Sequence, residues 1–221
     1  MNKLSDRLNR LSYSQTFVMS NKAREMKAAG IDVISLTLGE PDFDVPANIK
    51  QAAFDAINQN FSHYSPVPGF LELRQAIAKK LKRDNNLDYK PTQICVSNGA
   101  KQSILNVLAA VVNDGDEVIL PAPYWVSYDE MVKMMGGTSV FIETNIDTEF
   151  KMTAEQLEAA ITPKTKVILY SSPCNPSGSY YTKDELEKIA NVVAKYPYVT
   201  IISDEIYEYI NYDGKHTSIA E

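Results

Sequence analysis

The chain has 221 residues, enough for one large domain or two small ones, and its 44% hydrophobic, 23% charged and 10% aromatic content is that of an ordinary globular protein, not a disordered or fibrous one. Lysine and arginine number 22 against 28 aspartates and glutamates, a net charge of −6, which argues against a nucleic-acid partner because phosphate binding needs a basic surface. The longest apolar run, Val107 to Val112, is far short of the roughly 20 residues that cross a bilayer, and two cysteines (Cys95, Cys174) with two histidines (His63, His216) show no metal-ligand spacing. No membrane span, secretion signal or metal site is expected, and the expected compartment is the reducing cytoplasm.

In chain order, six basic residues against two acidic ones in the first 27 read as an amphipathic opening helix rather than a transit peptide. A strand is predicted over Val33–Leu38, followed by helices over Ile49–Asn60 and Phe70–Asp84. A strand at Gln93–Ser97 leads into a helix over Lys101–Val112, and one at Glu117–Pro121 into a helix over Tyr124–Gly136. Strands at Ser139–Glu143 and Lys166–Ser171 flank a helix opened by the capping box of Thr153 and Gln156. A second box, Thr182 with Glu185, opens a helix in which Leu186, Ile189, Ala190 and Val193 recur at i, i+3, i+4, i+7. The last strand is Val199–Ser203. This alternation predicts an α/β fold, a mostly parallel sheet flanked by helices.

In such sheets ligands bind beyond the carboxyl ends of the strands. There, Ser97-Asn98-Gly99-Ala100-Lys101 enters a helix whose first N–H groups suit an anion such as phosphate, although such a turn also serves simply to start a helix. It is neither a Walker A loop nor a dinucleotide fingerprint. Asp204 ends an apolar strand, where it either caps the next turn or holds a proton on a ring nitrogen; Tyr207, three residues on, is placed to offer its hydroxyl to a ring oxygen. Asn175, between Pro173 and Pro176, is a rigidly presented amide or a plain turn residue. Tyr124 and Trp125 are stacking candidates, with core packing as the alternative. Together, a phosphate nest, a stacking aromatic, an amide donor and a carboxylate beside a tyrosine describe a site for pyridoxal 5′-phosphate (PLP).

Four ordered motifs carry a family likeness. Gly39-Glu40-Pro41-Asp42-Phe43 matches G-x-P-D-F, Tyr64 with Gly69 matches Y-x(4)-G, Asn175-Pro176-Ser177-Gly178 matches N-P-[ST]-G, and Ser203-Asp204-Glu205-Ile206-Tyr207 matches [SA]-D-E-x-Y. On these, the chain resembles the class I/II aminotransferases of the aspartate aminotransferase family, fold type I of PLP enzymes. The resemblance implies a large domain of that fold over 46–221, incomplete, with residues 1–45 belonging in part to the small domain. It implies that Gly99, Ala100 and Lys101 line the phosphate cup, that Tyr64 reaches the phosphate of a neighbouring subunit's cofactor in a homodimer, and that Trp125 serves the ring and the substrate carboxylate. Asn175 and Tyr207 bond the ring's O3′, Asp204 pairs with the pyridinium nitrogen, and Gly39 leaves the substrate room. Asn175 also counts among the substrate contacts. Lys101 is linked with the distal carboxylate of an acidic substrate or serves the phosphate alone. Amino-acid and 2-oxo-acid substrates are implied, aspartate with 2-oxoglutarate foremost.

The family's Schiff-base lysine lies in S-K-x(5)-G-x-R-x-G, and no lysine of this chain has Gly at +6 with Arg at +8. Only Lys215 follows Tyr207, in a segment that reads as a turn or loop. The chain is therefore expected to be the N-terminal portion of an aminotransferase, inactive alone, with no catalytic lysine of its own; the alternative is a non-catalytic module that binds PLP or a phosphate ligand.

Overall fold

The computed structural model describes residues 4–13 and 15–221. Its helices are α1 (Asp6–Asn9), α2 (Gln15–Ala28), α3 (Ala47–Asn58), α4 (Leu71–Asn85), α5 (Ala100–Val111), α6 (Ser127–Met134), α7 (Ala154–Ala160) and α8 (Lys183–Val193). Its strands are β1 (Glu117–Ala122), β2 (Thr138–Glu143), β3 (Thr165–Ser171) and β4 (Thr200–Asp204). The chain divides into two compact units, Met1–Ser12 with Leu71–Glu221, and Tyr13–Phe70.

In the larger unit the four strands form one sheet in the order β2-β1-β3-β4, and every pairing is parallel. Side chains alternate across each strand, so the sheet sorts its apolar residues into two cores. Val118 and Leu120 of β1 and Val167 and Leu169 of β3 pack with Ile104 and Leu108 of α5 and with Tyr128, Met131 and Val132 of α6. Ile119, Ile168 and Tyr170 point the other way and meet Leu157 of α7 and Leu186, Ile189 and Val192 of α8. Right-handed crossovers account for this partition. The chain leaves β1 for β2 through α6 on one face, then returns to β3 and β4 through α7 and α8 on the other. β1 and β3 are neighbours whose connections depart to opposite faces, and a crevice opens at such a switch point.

The smaller unit carries α2 and α3, and no described residue of it is buried. Phe61 and Phe70 meet edge to face with centroids 5.7 Å apart.

The α/β architecture agrees with the sequence, and the last four predicted strands are observed with their ends shifted by a residue. The opening segment is helical, as α1 and α2, but the amphipathic pattern expected of it is not observed: in α2 the successive apolar residues Phe17, Val18 and Met19 are all exposed. Two strands are corrections. Residues 33–38 are irregular, with Ile34 and Leu36 exposed, because β-branched residues make a strand only when a neighbour supplies ladder partners. In the second, Gln93 ends a 3₁₀ turn at Pro91–Gln93 and residues 94–97 are irregular. The helix expected from Tyr124 starts only at Ser127, after the cis Ala122–Pro123 bond.

Both capping boxes form. The Thr182 hydroxyl accepts from the Glu185 N–H, and the Glu185 carboxylate accepts from the Thr182 N–H at 2.7 Å. Thr182→Ala is expected to cost about 1 kcal/mol, the usual worth of an N-cap. Leu186→Ala, in the fully formed core beneath it, is expected to cost about 3 kcal/mol. Urea unfolding of the two variants checks the ranking, and equal losses would contradict it.

Candidate functional site

β4 runs beside β3 with Asp204 opposite Ser171, which puts a carboxylate at the carboxyl edge of the sheet. Asp204 is buried. Such a group costs several kcal/mol unless donors or a cation compensate it. Its Oδ2 accepts from the Tyr128 hydroxyl at 2.8 Å, and its Oδ1 accepts from the Ile206 N–H at 3.3 Å. Among the described residues no cationic side chain forms an ion pair with it. Burial pushes the Tyr128 phenol well above its ordinary pKa and the Asp204 charge adds to this, so the hydroxyl keeps its proton and remains a donor.

The walls come from three other strand ends and helix starts. Gly99 caps α5 with φ of +85°, a left-handed conformation that glycine adopts without strain. The first intrahelical bonds are those that Gln102 and Ser103 donate to the Gly99 carbonyl, so the N–H groups of Ala100 and Lys101 lie ahead of the ladder, at the positive end of the helix. The Lys101 ammonium sits 4.7 Å from the centroid of the Trp125 ring, a cation–π contact. Trp125 in turn meets Tyr128 edge to face at 5.6 Å. Beyond β3, the Asn175 amide donates to the Tyr207 hydroxyl at 3.4 Å, bridging the loop after β3 to the turn after β4.

These groups enclose a cleft of about 260 Å³. It is lined by Gly99, Ala100, Lys101, Trp125, Asn175, Asp204 and Tyr207, all anticipated from the sequence, together with Tyr128, Ser171 and Ile206, which were not. Tyr128 had one local signal: it follows Trp125 by three residues, the spacing that shares a helix face. Tyr124, offered as a stacking candidate, lies outside this cleft; its ring stacks on Phe141 of β2 at 5.4 Å and 8°. Gly39 and Tyr64 belong to the Tyr13–Phe70 unit, where Tyr64 is fully exposed and a Cβ on Gly39 would meet no atom of that unit within 4 Å. Lys215 lies in an irregular segment.

Glu205 points away from Asp204 and holds the closing segment of the chain. Its Oε1 accepts from Ser203 and Ser218 hydroxyls at 2.8 Å each, and its Oε2 pairs with His216 Nε2 at 3.0 Å. Burial opposes the charged form, but the bonds from His216, Ser203 and Ser218 outweigh it and keep the carboxyl below the ordinary glutamate range.

Residues 31–220 match the model of the aminotransferase class I and II family. The chain is 50% identical to the probable aspartate/prephenate aminotransferase of Rickettsia bellii (strain RML369-C), across all of this chain and 56% of that protein. It is 49% identical to the aspartate aminotransferase of Bacillus sp. (strain YM-2), over 99% of this chain and 56% of that one. Among solved structures, the aspartate aminotransferase from Thermus thermophilus with maleate superposes with a TM-score of 0.95 at 42% identity, covering 99% of this chain and 57% of that one. That from Rhizobium meliloti gives 0.96 at 40% identity, covering 100% and 55%. The chain spans about half the length of the curated relatives it matches.

Because the Glu205 pKa is depressed by folding, its contribution to stability is present above the ordinary carboxylate range, roughly pH 4 to 5, and is lost as the pH falls through the lowered folded value. Glu205→Gln is expected to lower stability at pH 7 and to flatten the acid limb of the profile. Unfolding free energies from pH 7 to pH 3 check this, and parallel acid limbs in the two proteins would contradict it.

Proposed function

The chain belongs to the aminotransferase class I and II family, and on that premise we propose that it is the cofactor-holding part of an enzyme that moves an amino group between aspartate and a 2-oxo acid. The observation that carries the reading is the buried Asp204 carboxylate, held by two donors and paired with no cation among the described residues, on the floor of a cleft whose rim is a helix N-terminus. That donor set fits PLP. A carboxylate acceptor suits a ring N–H, the Asn175 amide and Tyr207 hydroxyl suit a ring oxygen, a flat indole suits the ring, and the start of α5 suits a phosphate.

In this reading Gly99, Ala100 and Lys101 hold the phosphate, Trp125 lies along the ring, Asn175 and Tyr207 hold O3′, and Asp204 takes the ring N–H. Bound there, PLP supplies an electron sink for the charge left when a substrate loses its α-proton. The chain's own residues hold and orient it. Asp204 keeps a proton at the ring nitrogen, the Asn175–Tyr207 pair fixes the ring's rotation, and Trp125 excludes water from one side of the cleft. The Lys101 ammonium offers a second charge for the distal carboxylate of an acidic substrate. Support for aspartate comes from the names of the relatives and from the Thermus structure with maleate, a four-carbon dicarboxylate. The relatives named aspartate/prephenate aminotransferases add prephenate, a 2-oxo acid with two carboxylates, beside 2-oxoglutarate as an acceptor.

The same proposal assigns Gly39, Trp125 and Asn175 to the substrate, Tyr64 to the phosphate of a neighbouring subunit, residues 1–45 in part to a small domain and 46–221 to the large one. A homodimer is supported by the Tyr13–Phe70 unit, which exposes Phe17, Leu36, Phe54 and Tyr64. The proposed compartment is the cytoplasm, and no described helix is long and apolar enough to cross a membrane. By themselves these 221 residues are proposed to bind PLP without transaminating.

The purified chain is expected to bind pyridoxamine 5′-phosphate saturably in calorimetry. Asp204→Ala and Lys101→Ala are each expected to weaken binding by about tenfold or more, the effect of removing a charge-assisted contact. Unchanged affinity in both would place the site elsewhere. Joined to the remaining half of the Thermus relative, the chain is expected to use aspartate with 2-oxoglutarate; preference for an aromatic or branched-chain donor would overturn the substrate assignment.

A further inference from the structure

Tyr128 has no role in the reading above, yet it is the most constrained side chain of the site. It sits in the first turn of α6, is fully buried, donates its N–H to the Trp125 carbonyl at 2.9 Å and sets its ring edge against the indole. The rest of the ring belongs to the core formed by Val118, Leu120 and Met131. With the ring fixed on both sides, the hydroxyl has one position, 2.8 Å from Asp204 Oδ2. The other carboxylate oxygen is held by the Ile206 N–H. The remaining titratable groups around the carboxylate are Lys101 at the start of α5, Cys174 after β3, and Glu205 and Tyr207 after β4. None of them hydrogen-bonds to it, so Tyr128 is its side-chain donor among the described residues.

A hydrogen bond donated to a carboxylate stabilises its charged form and makes it a weaker base. Where a buried carboxylate and a pyridine nitrogen share one proton, the weaker base gives it up. Resting on the PLP reading of the cleft, we propose that Tyr128 is a positioning residue whose hydrogen bond keeps Asp204 ionised and aimed into the cleft, so that the shared proton stays on the nitrogen of a bound pyridine ring. The phenol keeps its own proton throughout, and no bond other than the shared N–H changes. A tyrosine that merely filled space would leave the location of this proton unaltered.

The test uses the full chain and pyridoxamine 5′-phosphate labelled with ¹⁵N in the ring, a probe without an aldehyde that therefore makes no adducts with surface lysines. In the unsubstituted chain the bound ring nitrogen is expected to resonate as a protonated pyridinium. Tyr128→Phe, which conserves the ring and its packing, is expected to move that resonance toward unprotonated pyridine and to weaken binding roughly tenfold, the size of a lost bond to a charged group. Replacing Tyr128 by 3-fluorotyrosine, a more acidic donor of nearly the same shape, is expected to keep the bound ring nitrogen at the pyridinium position at pH 7. A Tyr128→Phe chain that binds the probe with an unchanged ¹⁵N resonance overturns the inference and leaves the PLP reading intact. An unsubstituted chain that shows no bound resonance overturns the PLP reading, and the inference with it.

Discussion

Because all three strand pairings are parallel, every strand of the sheet ends at the same edge, and the loops that follow are forced together there. The order β2-β1-β3-β4 then decides where along that edge a ligand fits. Connections leave β1 toward one face and β3 toward the other, so nothing fills the gap between their carboxyl ends. Trp125 follows β1, Asn175 follows β3, and Asp204 ends β4, three positions far apart in sequence that become neighbours through this single constraint. The cleft follows from topology, and its chemistry follows from which side chains stand at the strand ends.

The segment from Asp204 to Tyr209 shows how a site on a turn is made rigid. Asp204 is tied to α6 through Tyr128, and Glu205 to the closing segment through His216 and Ser218. Glu208 pairs with Lys80 and accepts from the Asn85 amide at 3.0 Å, while the Tyr209 hydroxyl donates to Asp84, both at the end of α4. Consecutive residues are thus anchored to three different parts of the unit, and the turn presents Tyr207 to Asn175 from a fixed base. Supporting contacts of this kind, rather than strand structure alone, hold the polar groups of a cleft in register.

Much of this was legible in the residues because the signals were local. β3 and β4 announce themselves as β-branched runs, α8 by its spacing and capping box, and the cleft by polar residues just after apolar strands. The misreadings share a cause. Val33–Leu38 and Gln93–Ser97 have strand composition, but a ladder needs a partner, and partners are not encoded within a six-residue window. Tyr124 and Trp125 are adjacent aromatics, and composition cannot say that the first turns to Phe141 while the second turns to Lys101. Tyr128 was missed because its significance is a bond to a residue 76 positions away. Local pattern marks where a polar residue stands; which donor satisfies it is settled only by packing.

The contact between Lys101 and Trp125 has an optical consequence. The chain contains a single tryptophan, and its indole stands in the cleft with an ammonium over its face. Any molecule that draws Lys101 away or slides along the ring changes the electric field at the one indole of these 221 residues. Emission excited selectively at the red edge therefore comes from one place, the mouth of the cleft, and the unlabelled protein carries its own gauge of what enters.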